Sequence, residues 1–221
     1  MNFCIAIDGP AGAGKSTIAK LLAKKLGFVY VDTGAMYRAM GLYFYQNNLN
    51  TESESDVRKA CEDADITISY NSNGQIVSLN GVDVTSQIRT EQAGLMASKV
   101  AVLKDVRLKL VELQRKLATK ENVIMDGRDV GTYILPNADL KIYLTASSKE
   151  RANRRYQELV QKGIDCNLSQ IEEDIIARDE QDMNREFAPL RQAEDAVLID
   201  SSYLTIEDVV EKMIELYNER K

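Results

Sequence analysis

The chain has 221 residues, 44% of them hydrophobic and 28% charged, and its formal net charge is −6. A chain of this length fits one large domain, with or without small inserts, and this composition is typical of a globular protein. The net negative charge argues against a general nucleic-acid-binding protein, which would present a basic surface. The sequence has no apolar stretch of membrane-spanning length and no signal-peptide pattern, so we expect a cytoplasmic protein without a membrane partner.

The residue types that are rare or missing narrow the chemistry. Cys4, Cys61 and Cys166 are far apart in the sequence, which predicts reduced thiols and, with no histidine present, no zinc site. The lack of histidine also removes Ser-His and Cys-His nucleophilic systems. Phosphoryl transfer to a phosphate acceptor needs no imidazole, because positioning and electrostatics dominate and the acceptor oxygen is already ionised at neutral pH.

The first predicted elements are a strand over residues 3–7 and a helix over about 15–25, joined by a glycine-rich loop. The loop pattern G-x-x-x-x-G-K-S lets backbone N–H groups surround a triphosphate, while Lys15 reaches the outer phosphates and the Ser16 hydroxyl holds Mg²⁺. The positive N-terminal end of the helix faces the same phosphates. A turn that binds no ligand is the alternative, and the flanking strand and helix argue against it. The residues predicted to bind the nucleotide are Gly9, Pro10, Ala11, Gly12, Ala13, Gly14, Lys15, Ser16 and Thr17.

The segment DTGAMYR, from Asp32 to Arg38, follows a second predicted strand over residues 28–31. Thr33 lies where a helix N-cap is expected. Arg38, about one helical turn further on, is placed to reach a phosphate at the carboxyl edge of the sheet. A cap followed by a solvated arginine would have the same sequence, so both interpretations stay open on these residues alone.

An alternating segment over residues 66–70 interrupts the α/β pattern. Asn-Gly pairs at 73–74 and 80–81 separate it from further short segments at 75–79 and 82–85, and Asn-Gly between alternating segments is the strongest short-range signal for a β-hairpin. These residues predict a three-stranded antiparallel insert in the α/β core. The insert is either a surface decoration or a lobe that covers the substrate and moves.

An apolar stripe over residues 103–117 predicts one long helix that packs on the core. Arg107 lies beside this stripe and not in it, so we expect its side chain to face a cleft. The next predicted strand, over 123–125, leads into the segment DGRDVGT. A strand that ends in aspartate resembles a Walker B element, which places Asp126 near Mg²⁺.

Arg151, Arg154 and Arg155 follow a fourth predicted strand over residues 140–144. Their i, i+3, i+4 spacing puts them on one helix face, where three like charges repel each other unless an anion or several acids lie opposite. This spacing predicts an arginine-bearing lid over the transferred phosphate. A solvated helix face is the alternative for each arginine taken alone.

Arg178, Asp182 and Arg185 lie at offsets of four and seven, and therefore on one face of a predicted helix. They form either a surface ion pair or a site in which the acid holds a ribose hydroxyl and an arginine holds phosphate. A fifth predicted strand follows at 196–199. The five short apolar runs, alternating with helical segments, predict an α/β fold with a five-stranded parallel sheet flanked by helices.

The segments GPAGAGKST, DTGAMYR, DGRDVGT and RDEQDMNR, in this order and spacing, resemble those of the bacterial cytidylate kinases, which are P-loop NTPases. The resemblance covers essentially the whole chain. It implies a single P-loop kinase domain over residues 1–221, with an antiparallel insert at 63–95 that binds the nucleoside monophosphate and a short helical lid at 148–165. It also implies Mg²⁺-dependent transfer from ATP to CMP or dCMP, in line and without a covalent intermediate.

The resemblance implies a role for each candidate residue. The implied catalytic residues are Lys15, Arg128, Arg154 and Arg155. The implied CMP contacts are Arg38, Arg128 and Arg185 to the phosphate, Thr33, Arg107 and Asp129 to the cytosine edge, and Ser98, Arg178 and Asp182 near the sugar. Asp129 would accept a hydrogen bond from the N4 amino group of cytosine, where uracil carries a carbonyl, so CMP and dCMP should outrank UMP.

Two other functions remain open from the sequence. A P-loop kinase for another acceptor, such as UMP, AMP or a small hydroxyl metabolite, would share the general plan. A nucleotide-binding switch is the hypothesis from a different class, but it would need a guanine-reading Asn-Lys-x-Asp element, and the sequence has no Asn-Lys dipeptide. No exposed apolar seam stands out, so we expect a monomer whose partners are ATP and (d)CMP, with no nucleic acid.

Overall fold

The computed structural model describes residues 2–71 and 74–221, which group into two compact units. The first unit comprises the chain up to Val29 together with Glu121–Lys221, and the second comprises Tyr30–Lys120. The strands are β1 (Cys4–Asp8), β2 (Val29–Asp32), β3 (Ile66–Asn71), β4 (Gly74–Leu79), β5 (Val82–Asp83), β6 (Val123–Gly127), β7 (Leu140–Thr145) and β8 (Val197–Asp200). The helices are α1 (Lys15–Leu26), α2 (Thr33–Gln46), α3 (Glu54–Asp63), α4 (Glu91–Val100), α5 (Lys104–Ala118), α6 (Ser148–Gln161), α7 (Leu168–Asn184) and α8 (Ile206–Asn218), with a 3-10 helix at Gln87–Arg89 and a π-helix at Val130–Ile134.

The five-stranded parallel sheet predicted from the sequence is present, with the strand order β2-β6-β1-β7-β8. The side chains of Ile5 and Ile7 in the central strand β1 are fully buried, as expected for parallel strands covered on both faces. The register pairs Ile7 with Asp126 and Asp8 with Gly127. Two aspartates, Asp8 and Asp126, therefore end neighbouring strands at the same edge of the sheet, where ligands bind in open α/β sheets.

Two helices of the first unit, α6 and α7, pack against each other. Each begins at a polar N-cap: the Ser147 hydroxyl accepts from the Glu150 N–H, and the Asn167 side chain accepts from the Gln170 N–H. The Ser148 hydroxyl also donates to the Glu172 carboxylate at 2.7 Å, which ties the start of α6 to α7. No helix within 2–71 and 74–221 is long and apolar enough to cross a membrane.

The second unit has its own core, in which Met36, Met40 and Phe44 of α2 are fully buried. The N-cap of α2 differs from the prediction, because the carboxylate of Asp32, and not the Thr33 hydroxyl, accepts from the Ala35 N–H at 2.9 Å. Thr33 is instead the first residue of α2. A side chain one position earlier is the one that reaches the third N–H of this helix.

The predicted insert is also present, as an antiparallel sheet in the order β3-β4-β5. Asn80 and Gly81 both have positive φ, as the Asn-Gly turn predicts, whereas Asn73 lies outside the described residues. The last strand is shorter than predicted, and a side chain takes part in the pairing beyond its end. The Thr85 hydroxyl accepts from the Val77 N–H at 3.0 Å, and the Asp83 carboxylate accepts from the Thr85 N–H at 2.8 Å.

Candidate active site

The phosphate loop, Gly9–Thr17, joins the carboxyl end of β1 to α1. Position 9 fits only glycine, because a Cβ there would lie 1.9 Å from the carbonyl oxygen of Leu144 in β7. Gly14 has a φ of 85° and forms the N-cap of α1. The loop therefore turns tightly against the neighbouring strand and presents the start of α1 at the sheet edge.

Lys15, the first residue of α1, is buried, and its ammonium group points back into the phosphate loop. Its Nζ donates to the carbonyl oxygens of Gly9 and Pro10, each at 2.7 Å. The pKa of Lys15 is lowered to about 7, mainly because burial disfavours the charged form; the positive charge of Arg128 also lowers it, and the carboxylate of Asp126 opposes both. A full negative charge at this position would favour the charged lysine more than carbonyl dipoles do.

Ser16 and Asp126, the two residues that the sequence predicts near Mg²⁺, lie in contact. The Ser16 hydroxyl donates to Oδ2 of Asp126 at 2.7 Å, although 110 residues separate them in the chain. Asp126 is buried at the end of β6. A hydroxyl and a carboxylate side by side at the phosphate loop provide the oxygen ligands that Mg²⁺ takes in kinase sites.

Asp8 fixes the turn after β6, a role that the sequence did not reveal. Its Oδ1 accepts from the Val130 N–H at 2.8 Å, and its Oδ2 accepts from the Gly131 N–H at 2.7 Å. Burial raises the pKa of Asp8 to about 6, and these two backbone hydrogen bonds work in the opposite direction. The only signal in the sequence is an aspartate directly after a predicted strand, and this does not indicate which N–H groups it binds.

Asp8 thereby holds the GRDVGT turn (residues 127–132), which carries two of the predicted CMP-binding residues. Arg128 donates from Nε to Oδ2 of Asp182 at 2.7 Å, and Asp129 accepts at Oδ1 from Nη2 of Arg185 at 3.0 Å. Asp182 also lies 3.6 Å from Nη1 of Arg185. The structure therefore joins four predicted CMP-binding residues, Arg128, Asp129, Asp182 and Arg185, in one ion-pair network.

The protonation states within this network are fixed by its own charges. Burial would lower the pKa of Arg128, but the carboxylate of Asp182 raises it above its ordinary value. Burial would likewise raise the pKa of Asp182, and Arg128 and Arg185 together hold it below its usual range. Both groups therefore stay charged near neutral pH.

Arg185 lies just beyond the end of α7, and not on its face as the spacing predicted. Its guanidinium donates twice to the carbonyl oxygen of Ala188, whose φ of 49° turns this carbonyl back toward the arginine. Phe187 packs edge-on against Tyr133 of the π-helix, with ring centroids 4.9 Å apart. Arg178 is on α7 and is exposed. A chain reversal after Asn184, not the helix period, places Arg185 beside Asp129.

The three arginines of α6 have three different surroundings. Arg151 is buried and contacts the phosphate loop, where its Nη1 donates to the Ala11 carbonyl at 2.7 Å. Arg154 donates from Nη2 to the carbonyl oxygen of Ser201 at 2.6 Å, beyond β8. Arg155 is about half exposed and pairs with Glu158 at 3.2 Å. The arginines share a helix, but only Arg154 and Arg155 remain candidates for contact with a transferred phosphate.

In the second unit, the DTGAMYR segment holds its arginine with its own aspartate. Nη2 of Arg38 lies 2.8 Å from Oδ2 of Asp32, the carboxylate that also caps α2. Gln75 of β4 accepts from the Asp32 N–H at 2.8 Å, so the antiparallel insert contacts the start of this segment. Thr33 is buried next to the cap.

Arg107 and Ser98, the other two predicted contacts of the second unit, are on separate helices. Arg107 is 1% exposed on α5, buried rather than open to a cleft as the sequence predicted. Its guanidinium lies 5.4 Å from the centre of the Tyr37 ring and donates to the Ala101 carbonyl at 3.0 Å. Ser98 on α4 donates to the Gly94 carbonyl at 3.3 Å.

The parallel sheet and the phosphate loop at its carboxyl edge define a P-loop nucleotide-binding protein. The buried Lys15 and the Ser16–Asp126 pair lie at the positions that this class of protein uses for phosphates and Mg²⁺. The arginines gathered in the same unit are typical of phosphoryl-transfer enzymes.

Comparison with known proteins identifies the family. The family model described as cytidylate kinase matches residues 5–219. A curated cytidylate kinase from Caldicellulosiruptor saccharolyticus is 53% identical over 96% of this chain and 94% of its own length. The corresponding protein from Clostridioides difficile is 48% identical over 98% of this chain and 99% of its own. This chain belongs to the cytidylate kinase family, which confirms the resemblance seen in the sequence.

A solved structure shows the same fold at low identity. An uncharacterised protein from Eubacterium ventriosum ATCC 27560 matches with a TM-score of 0.56 and 12% identity, covering 99% of this chain and 100% of that one. At this identity the likeness concerns the fold alone.

Proposed function

We infer that this chain transfers the γ-phosphoryl group of ATP to CMP or dCMP, forming ADP and CDP or dCDP. The observation that carries this function is the match to the cytidylate kinase family over residues 5–219, with 53% identity to one member over 96% of the chain. The chemistry agrees with the residues present. The acceptor phosphate has its second pKa near about 6 and is already a nucleophile at neutral pH, so an enzyme without histidine can perform this reaction.

The phosphate loop is the proposed site of the ATP triphosphate, and Lys15 is its main cationic contact. Lys15 is now held by two carbonyl oxygens of the loop at 2.7 Å. Phosphate oxygens would replace these carbonyls and favour the charged ammonium that burial disfavours. The transfer is in line, without a covalent intermediate, and Lys15 together with the arginines neutralises the charge that develops on the transferred group.

Mg²⁺ bound with ATP is the proposed cofactor, with Ser16 and Asp126 as the residues that hold it. Their contact at 2.7 Å fits this ion, because Mg²⁺ is usually bound by one or two protein side chains, several waters and the substrate phosphates. When bound there by Ser16 and Asp126, the ion would neutralise part of the charge of the phosphate oxygens.

The acceptor site is proposed to use the residues that the family resemblance implies. Arg38, Arg128 and Arg185 would bind the CMP phosphate, and all three are already held in place by carboxylates. Asp129 would accept a hydrogen bond from the cytosine N4 amino group, a donor that uracil lacks. A carboxylate accepts several hydrogen bonds, so Asp129 can serve Arg185 and the base together.

Two mobile parts complete the proposal. Residues 148–165, with α6 at Ser148–Gln161, would act as the lid and bring Arg154 and Arg155 to the transferred phosphate. Residues 63–95 would form the insert that binds the monophosphate. The hydrogen bond from the Asp32 N–H to Gln75 favours this role over a surface decoration, because it connects the insert to the DTGAMYR segment.

We further propose that the protein acts as a monomer in the cytoplasm, without a nucleic-acid partner. The three cysteines are free, which fits a reducing compartment. Size-exclusion chromatography with light scattering, at micromolar concentration, tests the monomer directly.

The function is tested by following ADP formation with Mg·ATP and each nucleoside monophosphate in turn. Fast turnover with CMP and dCMP, and much slower turnover with UMP and AMP, is the expected result. Equal or faster turnover with UMP or AMP would overturn the cytosine assignment and leave a kinase for another acceptor. ATP binding without turnover of any monophosphate would favour a hydroxyl acceptor or a switch.

A further inference from the structure

A buried ion pair between α6 and α7 forms hydrogen bonds with the phosphate loop. Nη1 of Arg151 in α6 lies 2.5 Å from Oδ2 of Asp179 in α7, and the two residues are 6% and 5% exposed. Burying two charges is costly unless they are closely paired and their remaining hydrogen-bonding groups find partners. The groups that form these remaining hydrogen bonds therefore indicate which part of the structure the ion pair stabilises.

Both members of the pair bind the main chain of one loop residue, Ala11. Oδ1 of Asp179 accepts from the Ala11 N–H at 2.9 Å, and Nη1 of Arg151 donates to the Ala11 carbonyl at 2.7 Å. The Nε of Arg151 donates to the Ala146 carbonyl just after β7, at 2.9 Å. The side chain of Arg151 also passes the next loop residue closely, because a Cβ at Gly12 would lie 3.4 Å from its Cβ.

This geometry fixes the peptide planes on either side of Ala11. The phosphate loop works by directing consecutive N–H groups at one anion, so its affinity depends on the orientation of each peptide. Donors that are held in place before the anion arrives lose less entropy when it binds. A loop whose tip is anchored from both sides by buried charges is preorganised in this sense.

We propose that Arg151 and Asp179 are positioning residues that set the phosphate loop for triphosphate binding without themselves contacting the nucleotide. The inference rests on the proposed function, since it concerns the ATP end of the same site. It also makes the start of α6, which lies within the proposed lid, and α7, which follows the lid, part of the support of the loop. Affinity for ATP then depends on this pair, whereas affinity for CMP does not.

The test compares ATP and CMP binding by calorimetry in wild type, Arg151→Met and Asp179→Asn. In Arg151→Met the Kd for Mg·ATP should rise about 10- to 100-fold, as for a displaced binding group. In Asp179→Asn the rise should be about fivefold, because the amide oxygen can still accept from Ala11 but no longer pairs with a full charge. The Kd for CMP should change less than about twofold in both variants.

A control for the loss of an acidic charge is the ion pair of Lys141 with Asp195 at 2.9 Å, in which the lysine side chain is 8% exposed and the aspartate side chain is 64% exposed. It belongs to the same unit but involves the segment before β8, so Asp195→Asn should bind ATP and CMP as wild type does. Arg151→Lys should bind ATP better than Arg151→Met, because it restores the charge but not the planar guanidinium that serves Ala11 and Ala146 together.

Wild-type ATP affinity in both Arg151→Met and Asp179→Asn would overturn the proposal. Equal losses for ATP and CMP would also overturn it, because they would show general destabilisation. If Arg151→Met does not fold, Asp179→Asn decides, since it preserves the shape of the side chain. Failure of the wild-type protein to bind ATP would contradict the proposed function itself, which separates the two conclusions.

Discussion

The phosphate loop and the GRDVGT turn hold their cations in opposite ways. In the loop, Lys15 rests on backbone carbonyls at 2.7 Å, whereas in the turn Arg128 rests on the carboxylate of Asp182 at 2.7 Å. Burial outweighs the attraction of Asp126 and the other nearby carboxylates, and the pKa of Lys15 is lowered to about 7. An anion that enters the loop therefore pairs with an ammonium group that its surroundings stabilise poorly. An anion that enters the turn must compete with an acid that is already in place.

The two ends of the site should accordingly differ in what a substitution removes. Loss of the loop cation removes the one ammonium group that contacts the loop carbonyls of Gly9 and Pro10. Loss of one charge in the turn leaves a network that can partly rearrange, because Asp182 contacts both Arg128 and Arg185.

The largest effect is expected from Lys15→Met. We expect kcat to fall about 10²- to 10³-fold, the usual loss when one donor to a developing charge is removed. Steady-state ADP formation with saturating CMP measures it. Lys116→Met, at a lysine that is 66% exposed, is the matched control and should retain wild-type activity. A kcat within tenfold of wild type in Lys15→Met would show that the loop N–H groups suffice without the lysine.

The next largest effect is expected on the free energy of unfolding. It comes from Asp8, which holds the GRDVGT turn, and it depends on pH. The pKa of Asp8 is raised from 3.8 to about 6 in the folded protein, so the folded state binds this proton more tightly than the unfolded state. Stability from this source is therefore fully present below pH 3.8 and is lost as the pH rises to about 6. Urea unfolding of wild type and Asp8→Asn across this range measures the effect.

The free energy of unfolding of wild type, minus that of Asp8→Asn, should fall by up to about 3 kcal/mol over this window. Any constant difference between the two proteins, such as a lost hydrogen bond to Val130 or Gly131, cancels in this slope. A flat difference between the two pH limits would show that the Asp8 carboxyl is not protonated in the folded state.

A smaller effect is expected on the selection between cytosine and uracil. It should follow from substitution of Asp129 but not of Asp182. Asp129→Asn should lower the preference for CMP over UMP by about 1–3 kcal/mol in kcat/KM, because the amide can also donate to the uracil carbonyl. Asp182→Asn is the control: it also contacts Arg185, so it should slow both substrates without altering their ratio. An unchanged ratio in Asp129→Asn would reassign the base-reading residue.

The smallest effect is expected at the exposed end of α6. Arg155 pairs with Glu158 while both side chains are about half exposed, so Glu158→Gln should change the free energy of unfolding by less than about 0.5 kcal/mol. Glu112→Gln, at another exposed pair, gives the reference. A decrease of more than about 1 kcal/mol in the free energy of unfolding would contradict this expectation. It would show that Arg155 is held as firmly as the arginines of the turn and is not a solvated side chain.

The parts of the structure that follow from local signals could be predicted from the sequence. The five parallel strands, the three-stranded insert and the phosphate loop depend on apolar runs, Asn-Gly pairs and glycine spacing, and each is present. The surroundings of the α6 arginines could not be predicted, because the helical period indicates a shared face but not what covers each turn of it. Arg151 is buried against the phosphate loop, while Arg155 faces solvent.

Contacts with the backbone of residues far away in the chain also could not be predicted from the sequence. Asp8 holds two N–H groups that are 122 and 123 residues away in the chain, and no spacing in the sequence connects them. Arg185 comes next to Asp129 through a reversal of the chain after α7, which includes a residue with positive φ that is not glycine, Ala188. Such a conformation is uncommon for alanine, so it could not be expected from the residue types alone.

One helix, α7, supplies both Asp179, which holds Ala11 of the phosphate loop, and Asp182, which holds Arg128 of the turn. The two carboxylates are one turn apart, with an axial separation of about 4.5 Å, and they share a face. A rotation of α7 about its axis moves both together. The position of this single helix therefore sets the geometry of the phosphate loop and of the GRDVGT turn at the same time.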